Sequence, residues 1–228
     1  MESEQHSEVE KFDRYAQSYA ALHAANVAVT GEVPAYFARH KLDWLVRLGT
    51  SPDSRVLDYG CGTGALTELL VGHFARTAGY DPSRESLPLA RQRAPGATFY
   101  DAEEQIPKAS FDLVVLSGVL HHVAPGERLA VMQSAAARLR SGGRLCVFEH
   151  NPLNPLTVRA VRTCPFDDAA ILLSPGELRR LFAAARLHAV RQDFVLFFPR
   201  ALARLRPFEP WLRGCPLGAQ TLTHGIAG

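Results

Sequence analysis

The chain has 228 residues, of which 47% are hydrophobic and 21% are charged. These fractions are typical of a globular protein, and a single α/β domain of this length can bury a substantial core. The formal net charge is only +2, with 25 Lys and Arg interleaved with 23 Asp and Glu, which argues against a nucleic-acid-binding protein held by phosphate neutralisation.

The cysteines and the N-terminal residues predict a soluble, cytoplasmic protein. No two of the four cysteines have a metal-ligand spacing such as C-x-x-C, and their pattern favours reduced thiols over a disulfide framework. Residues 1–11 are polar and acidic, unlike a secretory signal peptide. No apolar run approaches the roughly 20 residues that a membrane-spanning helix needs.

Two helices are predicted before the first strand, at residues 7–25 and 33–48. In the first, Phe12, Tyr15 and Tyr19 recur at helical spacing. An alternation of strands and helices follows these two helices. The predicted strands are residues 55–59, 76–80, 97–100, 111–117 and 144–149, and the predicted helices between them are residues 65–74, 83–93 and 127–139.

The apolar run FDLVVLS at residues 111–117 is typical of a central parallel strand that is buried on both faces. Together with the alternation, it predicts an α/β fold with a doubly wound, Rossmann-like, mostly parallel sheet of seven strands.

Residues 151–174 interrupt this alternation. They contain three prolines and little periodicity, so we predict a lid, an insertion loop after the fifth strand. A helix at 175–186, a strand at 189–198 and a short basic helix within 199–214 follow, and residues 218–226 are predicted as a last, unusually polar strand. We therefore predict one domain made of an N-terminal cap (1–49), a cofactor-binding core (50–150), the lid (151–174) and a C-terminal part (175–228).

The run VLDYGCGTG connects the first predicted strand to the next helix. Gly60, Gly62 and Gly64 allow the backbone to turn tightly and to approach a ligand closely. The helix that follows offers unpaired N–H groups at its N-terminus. Because open α/β sheets bind ligands at the carboxyl ends of their strands, the loop is placed to bind a nucleotide-like cofactor.

The glycine loop alone does not separate two classes of cofactor. Gly60, Gly62 and Ala65 also satisfy the dinucleotide fingerprint, and Asp81 lies about 20 residues further on. A nicotinamide-dependent oxidoreductase is therefore an alternative. Asp58 at the end of the first strand disfavours it, because a carboxylate is poorly placed beside a pyrophosphate but well placed for an ammonium group.

Several runs resemble the class I S-adenosylmethionine-dependent methyltransferases. VLDYGCGTGALT is similar to their motif I, and GYDPS to the acidic loop after their second strand. DAEEQIP and SFDLVVLSGVLHHV resemble the adenine loop and fourth strand of the UbiE-like small-molecule subgroup, which has type 11 and type 12 domains. Phe12, Asp13, Ala16 and Tyr19 match the FDxxAxxY helix of that subgroup. The resemblance implies a methyltransferase that uses S-adenosylmethionine.

The resemblance also implies which residues contact the cofactor. Asp58 would lie near the methionine ammonium, Asp81 would accept hydrogen bonds from the ribose hydroxyls, and Asp101 would bind the adenine amino group. The backbone carbonyl of Ser117 would lie near the methionine. The implied cofactor-binding residues are Asp58, Gly60, Cys61, Gly62, Gly64, Asp81, Pro82, Asp101, Ala102, Glu103, Ser117 and Tyr19.

Histidines follow the fourth and fifth predicted strands. Methyl transfer to a hydroxyl benefits from a general base with a pKa near neutrality, which histidine supplies. We predict that one of His121, His122 and His150 is a base or orients the acceptor, and that Glu149 orients a histidine or binds a substrate amine. Packing and capping of the lid are the structural alternatives. No metal is predicted, because these residues lack the H-x-x-x-H spacing of a helical metal site.

The acceptor pocket is predicted to lie beneath the N-terminal helices and the lid. Arg159 and Arg162 could bind an acidic group of the acceptor or could be solvated. The candidates from the two segments are Tyr15, Tyr19, His23, Asn26, Asn151, Asn154, Arg159 and Phe166. The predicted acceptor is an oxygen of a small molecule, with nitrogen or carbon as alternatives. A non-catalytic protein that binds S-adenosylmethionine is a further alternative.

Overall fold

The computed structural model describes residues 13–228, apart from the side chain of Tyr19. Its strands are β1 Arg55–Tyr59, β2 Arg76–Tyr80, β3 Thr98–Tyr100, β4 Phe111–Ser117, β5 Leu139–His150, β6 Leu187–Val195 and β7 Gln220–Ala227. They form one seven-stranded sheet in the order β3-β2-β1-β4-β5-β7-β6. Strands β1 to β5 are parallel, and β7 runs antiparallel between β5 and β6. The predicted Rossmann-like fold is confirmed.

Helices flank this sheet. They are α1 Tyr19–Val27, α2 Pro34–Arg47, α3 Ala65–Val71, α4 Ser86–Arg93, α5 Arg128–Ala137, α6 Pro155–Arg162 and α7 Pro175–Ala184. Short 3-10 segments cover Ala28–Thr30, Glu103–Gln105, Leu120–His122 and Arg200–Trp211. The beginning of the predicted helix at 7–25, with Phe12, lies outside the described residues. Within residues 13–228 no helix is both long and apolar enough to cross a membrane.

Strand β4 divides the core into two layers. Successive side chains of a strand point to opposite faces of the sheet. Accordingly, Val114 and Leu116 pack into one apolar cluster with α5 and α7, whereas Leu113 and Val115 pack into a second cluster with α2 and α3. All four side chains are fully buried, as the apolar run at 111–117 predicts. The strand therefore fixes the position of the loop that follows Ser117.

The segment predicted as an insertion loop at 151–174 contains a helix that the prediction missed, α6. Asn154 caps this helix, since its side chain accepts hydrogen bonds from the backbone N–H groups of Leu156 and Thr157. Pro155 occupies the first helical position, where its missing N–H costs nothing. The proline thus begins a helix instead of interrupting one.

The predicted last strand is confirmed as β7, although it is polar and lies inside the sheet. Two of its buried polar side chains, those of Thr223 and His224, have partners on the neighbouring strands. The Thr223 hydroxyl accepts a hydrogen bond from Gln192 Nε2 at 2.8 Å, and His224 Nδ1 lies 2.9 Å from Arg144 Nη1. Because a satisfied polar group costs little to bury, these residues are compatible with a central strand.

Candidate active site

A cavity of about 1140 Å³ opens where β1, β2 and β4 end. Residues of α1 and α2 form one side of it, and the segment after α6 contributes Ala169 and Ile171. The predicted site residues that line its wall are Asp58, Gly60, Cys61, Gly62, Asp81, Pro82, Glu103, Ser117, His121 and His122. The topology therefore gathers most of the predicted cofactor set around one space.

The glycine loop follows β1 and adopts a backbone that favours glycine. Gly60, Gly62 and Gly64 all have positive φ angles, of 80°, 51° and 79°. At Gly62 a Cβ atom would meet no atom of residues 13–228 within 4 Å, so these residues leave open space at this point of the cavity wall. Gly64 begins α3 and packs closely on α4, where a Cβ atom would lie 2.9 Å from Ala90 Cα. Gly64 is not on the cavity wall.

Asp58 is a buried carboxylate with one unsatisfied oxygen. Its Oδ2 accepts a hydrogen bond of 2.7 Å from the Thr67 hydroxyl. Its Oδ1 is buried and accepts no hydrogen bond from any described residue. Burial raises the pKa of Asp58 to about 6. Because an unpaired buried acceptor is costly, this oxygen is suited to a ligand that donates hydrogen bonds or carries positive charge.

Asp81 connects the ends of β1 and β2. One carboxylate oxygen accepts the Gly62 N–H at 2.7 Å, and the other accepts the Ser83 N–H at 2.9 Å. Burial raises its pKa above the ordinary value, although both backbone hydrogen bonds oppose that shift. Each oxygen of a carboxylate can accept more than one hydrogen bond. Asp81 therefore holds the glycine loop and retains the capacity to accept hydrogen bonds from a ligand.

Lys41 is a functional candidate that the sequence analysis missed. It lies on α2 and lines the cavity, and its Nζ donates a hydrogen bond of 2.7 Å to the Ser117 hydroxyl. Burial lowers the pKa of Lys41 to about 8, against the opposing charges of Asp58 and Glu149. The available signal was its spacing, because Ala38, Lys41 and Leu45 recur on one helical face whose other members are apolar.

Glu149 and His121 form a buried ion pair beneath the loop that follows β4. Glu149 Oε2 lies 2.6 Å from His121 Nδ1, and its Oε1 accepts the backbone N–H groups of Val119 and Leu120. Burial opposes protonation of His121, but the carboxylates of Glu149 and Asp167 outweigh it and raise its pKa to about 9. His121 is therefore held as a cation at neutral pH and lacks the basic form that a general base needs.

Asp167, from the predicted lid, joins the three predicted histidines. Its Oδ1 lies 3.3 Å from His122 Nε2 and 3.7 Å from His121 Nε2. The imidazole rings of His121 and His150 are 4.9 Å apart between centroids. Burial and the neighbouring His121 charge lower the pKa of His150 to about 4, so His150 is neutral. Glu149 and His150 stand behind the cavity wall, whereas His121 and His122 lie on it.

Of the residues predicted to lie near the adenine, some line the cavity and others do not. Glu103 lines the cavity, and its carboxylate accepts hydrogen bonds from the hydroxyls of Tyr59 and Ser134. Asp101 is exposed, and neither Asp101 nor Ala102 lies on the cavity wall. Their contact with adenine stays a prediction. The cofactor contact predicted for the Tyr19 side chain lies outside what the structure describes.

Most of the candidates for the acceptor pocket do not reach the cavity. His23 lines it and packs edge-on against Phe166, with ring centroids 6.4 Å apart. Asn151 and Asn154 are structural: both donate to backbone carbonyls of the segment before β7, and Asn154 also caps α6. The remaining candidates off the wall are Tyr15, Asn26, Arg159, Arg162 and Phe166. The two arginines are exposed, because they extend from the outer face of α6.

Comparison with known proteins gives one consistent description. A family model described as a methyltransferase domain matches residues 31–205. A trans-aconitate 2-methyltransferase from Methylobacterium nodulans is 30% identical over 202 residues, which cover 83% of this chain and 69% of the relative. A ubiquinone biosynthesis O-methyltransferase from Methylocella silvestris is 28% identical over 221 residues, which cover 84% of this chain and 85% of the relative. An uncharacterised methyltransferase from Schizosaccharomyces pombe is 36% identical over 110 residues, which span only 42% of its length and 45% of this chain.

Solved structures share the fold at low sequence identity. One is a SAM-dependent methyltransferase from Thermotoga maritima, described as a possible histamine N-methyltransferase. Its TM-score is 0.65 at 19% identity, with 97% of this chain and 100% of that chain covered. The second is magnesium protoporphyrin IX methyltransferase from Synechocystis PCC 6803 with bound SAM. Its TM-score is 0.61 at 18% identity, with 90% of this chain and 83% of that chain covered.

Proposed function

Because the chain belongs to the methyltransferase-domain family and is a class I enzyme that uses S-adenosylmethionine, we propose that it methylates an oxygen atom of a small-molecule acceptor. The observation that carries this proposal is the cavity of about 1140 Å³, which is covered by α1 and α2 and by Ala169 and Ile171. Ligand pockets for a single small molecule are about 300–1,000 Å³. The cavity thus has the size for the cofactor together with a small acceptor.

Charged groups on the wall suit the amino-acid end of the cofactor. That end carries an ammonium and a carboxylate. The unsatisfied Oδ1 of Asp58 would accept from the ammonium, and Lys41 would pair with the carboxylate. Asp81 would bind the ribose hydroxyls, as carboxylates after a second strand do in dinucleotide sites. The open face of Gly62 would allow close approach of the ligand.

The cofactor, when bound, supplies a methyl group on an activated sulfonium leaving group, so the chain has mainly to orient the acceptor. We propose that His122 accepts the proton of the acceptor hydroxyl. It lies on the cavity wall, and Asp167 stands 3.3 Å from its Nε2. A carboxylate placed in this way orients an imidazole and stabilises the imidazolium that forms when it takes a proton. His121 is already paired with Glu149 and is less suited to this role.

An oxygen acceptor is favoured by one relative whose name specifies O-methyltransferase and by this histidine–carboxylate arrangement. General-base catalysis typically contributes 10²–10⁴-fold to a rate, and a hydroxyl benefits from it.

The test is formation of S-adenosylhomocysteine, measured by mass spectrometry with a panel of small carboxylic acids, phenols and size-matched amines. We expect turnover with an oxygen acceptor, reduced about 100-fold or more in His122→Ala. His188→Ala is the matched control, because His188 is exposed on β6 and should leave turnover unchanged. Turnover with amines alone would contradict the assignment of an oxygen acceptor. Equal rates in the wild type and His122→Ala would contradict the role of His122 as general base.

A further inference from the structure

Three side chains at the cavity wall, His121 on it and His150 and Asp167 behind it, bring potential metal ligands together. One nitrogen from each of His121 and His150 and one carboxylate oxygen of Asp167 all lie within 4.8 Å of one another. His121 and Asp167 are buried, and His150 is partly buried. The three residues come from three separate parts of the chain, the loop after β4, the end of β5 and the segment after α6.

The spacing of these atoms is close to that of a coordination sphere. Ligand bonds of about 2.0–2.2 Å place neighbouring ligand atoms roughly 3–4 Å apart. The His121 Nε2–Asp167 Oδ1 separation of 3.7 Å already falls in that range. The other separations are at most 4.8 Å, so small side-chain shifts would complete the set. Two imidazoles and one carboxylate favour a divalent first-row transition ion over magnesium or calcium, which prefer oxygen ligands alone.

The surroundings of His121 also fit a ligand. Metal-binding histidines usually donate their second ring N–H to a carboxylate, which fixes the ring orientation. Glu149 provides that contact, because its Oε2 lies 2.6 Å from His121 Nδ1. With Nδ1 held by Glu149, Nε2 is the nitrogen that faces Asp167. An ion bound at Nε2 would release to solvent the proton that the His121 cation carries there, because a metal ligand has to be deprotonated. His150 approaches from the other side, with its ring centroid 4.9 Å from that of His121.

Asp167 gives the independent indication of a missing partner. Its side chain is 4% exposed, and its Oδ1 accepts no hydrogen bond of good geometry from any described residue. The nearest nitrogens, on His122 and His121, stand 3.3 and 3.7 Å away. A buried charge is costly unless it is paired or coordinates a metal.

We propose that His121, His150 and Asp167 bind one divalent transition-metal ion at the inner wall of the cavity. Metal binding itself is independent of the proposed function. The role that we give to the ion rests on that function: it would bind the acceptor oxygen beside the methyl donor and lower the pKa of an acceptor hydroxyl, so that His122 can take its proton more readily. Acceptors with two adjacent oxygens, such as hydroxy acids and catechols, would then be preferred.

The test is a titration of the EDTA-stripped protein with CoCl₂, followed by its visible absorption, and with ZnCl₂ followed by calorimetry. We expect one ion per chain. His150→Ala and Asp167→Asn should each weaken binding at least tenfold, and Glu149→Gln about 10–100-fold, as loss of a supporting carboxylate does. His188→Ala should bind as the wild type does, because His188 lies on the exposed side of β6.

Binding of S-adenosylhomocysteine reports whether each variant is folded. A variant that binds this ligand but not cobalt supports the site. If a substitution to alanine or asparagine does not fold, His150→Gln takes its place. Failure of the wild-type protein to bind either ion, or equal binding in the variants, would overturn the proposal. Metal binding without any methyl transfer would contradict the proposed function but would still support the metal site.

Discussion

Lys41 places a positive charge on a face of α2 that is otherwise apolar, and burying this charge is costly. Within residues 13–228, its Nζ donates to a neutral partner, the Ser117 hydroxyl. Burial consequently lowers the pKa of Lys41 to about 8. Removal of this buried charge is expected to make the protein more stable. It is also expected to weaken binding of a ligand that carries an anionic group.

Lys41→Met is therefore expected to raise stability and weaken cofactor binding. The folded-state pKa of about 8 lies below the ordinary 10.5. Between these values the unfolded chain binds more protons, so the contribution of Lys41 to the free energy of unfolding rises with pH from 8 to 10.5. The variant should be more stable by about 1–3 kcal/mol at pH 7, and the wild type should lose that deficit by pH 10.5.

Urea unfolding at several pH values measures this difference, and titration of S-adenosylhomocysteine measures the expected loss of affinity, about tenfold or more. Lys108→Met is the control, because Lys108 is exposed outside the cavity. An unchanged affinity in Lys41→Met would show that the lysine does not bind the cofactor carboxylate.

A substitution at Gly62 tests whether the cofactor contacts the open face of the glycine loop. Gly62→Ala adds a methyl group that meets no atom of the described part of the chain within 4 Å. The φ of 51° costs about 1–2 kcal/mol for a residue with a Cβ atom. The variant should fold with a modestly lower melting temperature and bind S-adenosylhomocysteine at least tenfold more weakly. Gly126→Ala, where space is also open and φ is not positive, should retain full affinity. Equal affinities would mean that the ligand lies elsewhere.

Some site residues could be predicted from the sequence and others could not. Asp58 and Asp81 could be predicted because each stands at the end of an identifiable strand beside the glycine loop. Lys41 and Asp167 could not, because nothing local in the sequence indicates that α2 and the segment after α6 approach the end of β4. The cluster at His121 depends on contacts between residues 28 and 46 positions apart in the chain.

At the level of elements, the end of β5 determines the shape of the loop after β4. Glu149 accepts two consecutive backbone N–H groups of that loop and pairs with His121 within it. The carboxylate is 1% exposed, so these contacts are made where water does not compete. The loop is thereby held in one conformation, and His121 and His122 are presented to the cavity from a rigid support.

Glu149→Ala should accordingly lower the free energy of unfolding by about 3–5 kcal/mol, because it leaves the His121 charge and two backbone N–H groups buried without their acceptor. Chemical unfolding followed by circular dichroism measures this loss. Glu104→Ala, at an exposed position after β3, should change stability by less than about 0.5 kcal/mol. A loss as small as that in Glu149→Ala would mean that the loop does not depend on this carboxylate.

The lid shows why element prediction failed there. Three prolines and weak periodicity favoured a loop, yet Asn154 and Pro155 are also the residues that begin a helix. Asparagine and proline favour the start of a helix but disfavour its interior. Only the contacts of α6, with Val161 buried and Asn154 hydrogen-bonded to the carbonyl of Leu217, settle which meaning applies.

For the whole molecule, the pattern of alternating strands and helices was sufficient to predict the layers of the sheet. Strands β1 to β4 match the predicted bounds within one residue, because buried parallel strands are short apolar runs with clear ends. The position of β7 between β5 and β6 could not be predicted from its polar sequence, since the cross-strand partners of Thr223 and His224, Gln192 and Arg144, are distant in the chain. Local pattern therefore predicts elements more reliably than it predicts their neighbours.

The central claim is that the cavity beside the glycine loop holds S-adenosylmethionine through Asp58 and Asp81. Calorimetric titration of S-adenosylhomocysteine into the wild type, Asp58→Asn and Asp81→Asn tests it most directly, with NAD as the competing ligand. We predict one binding site in the wild type, at least tenfold weaker binding in each variant, and no heat from NAD. Undiminished affinity in both variants, or binding of NAD in place of the adenosyl ligand, would contradict the account.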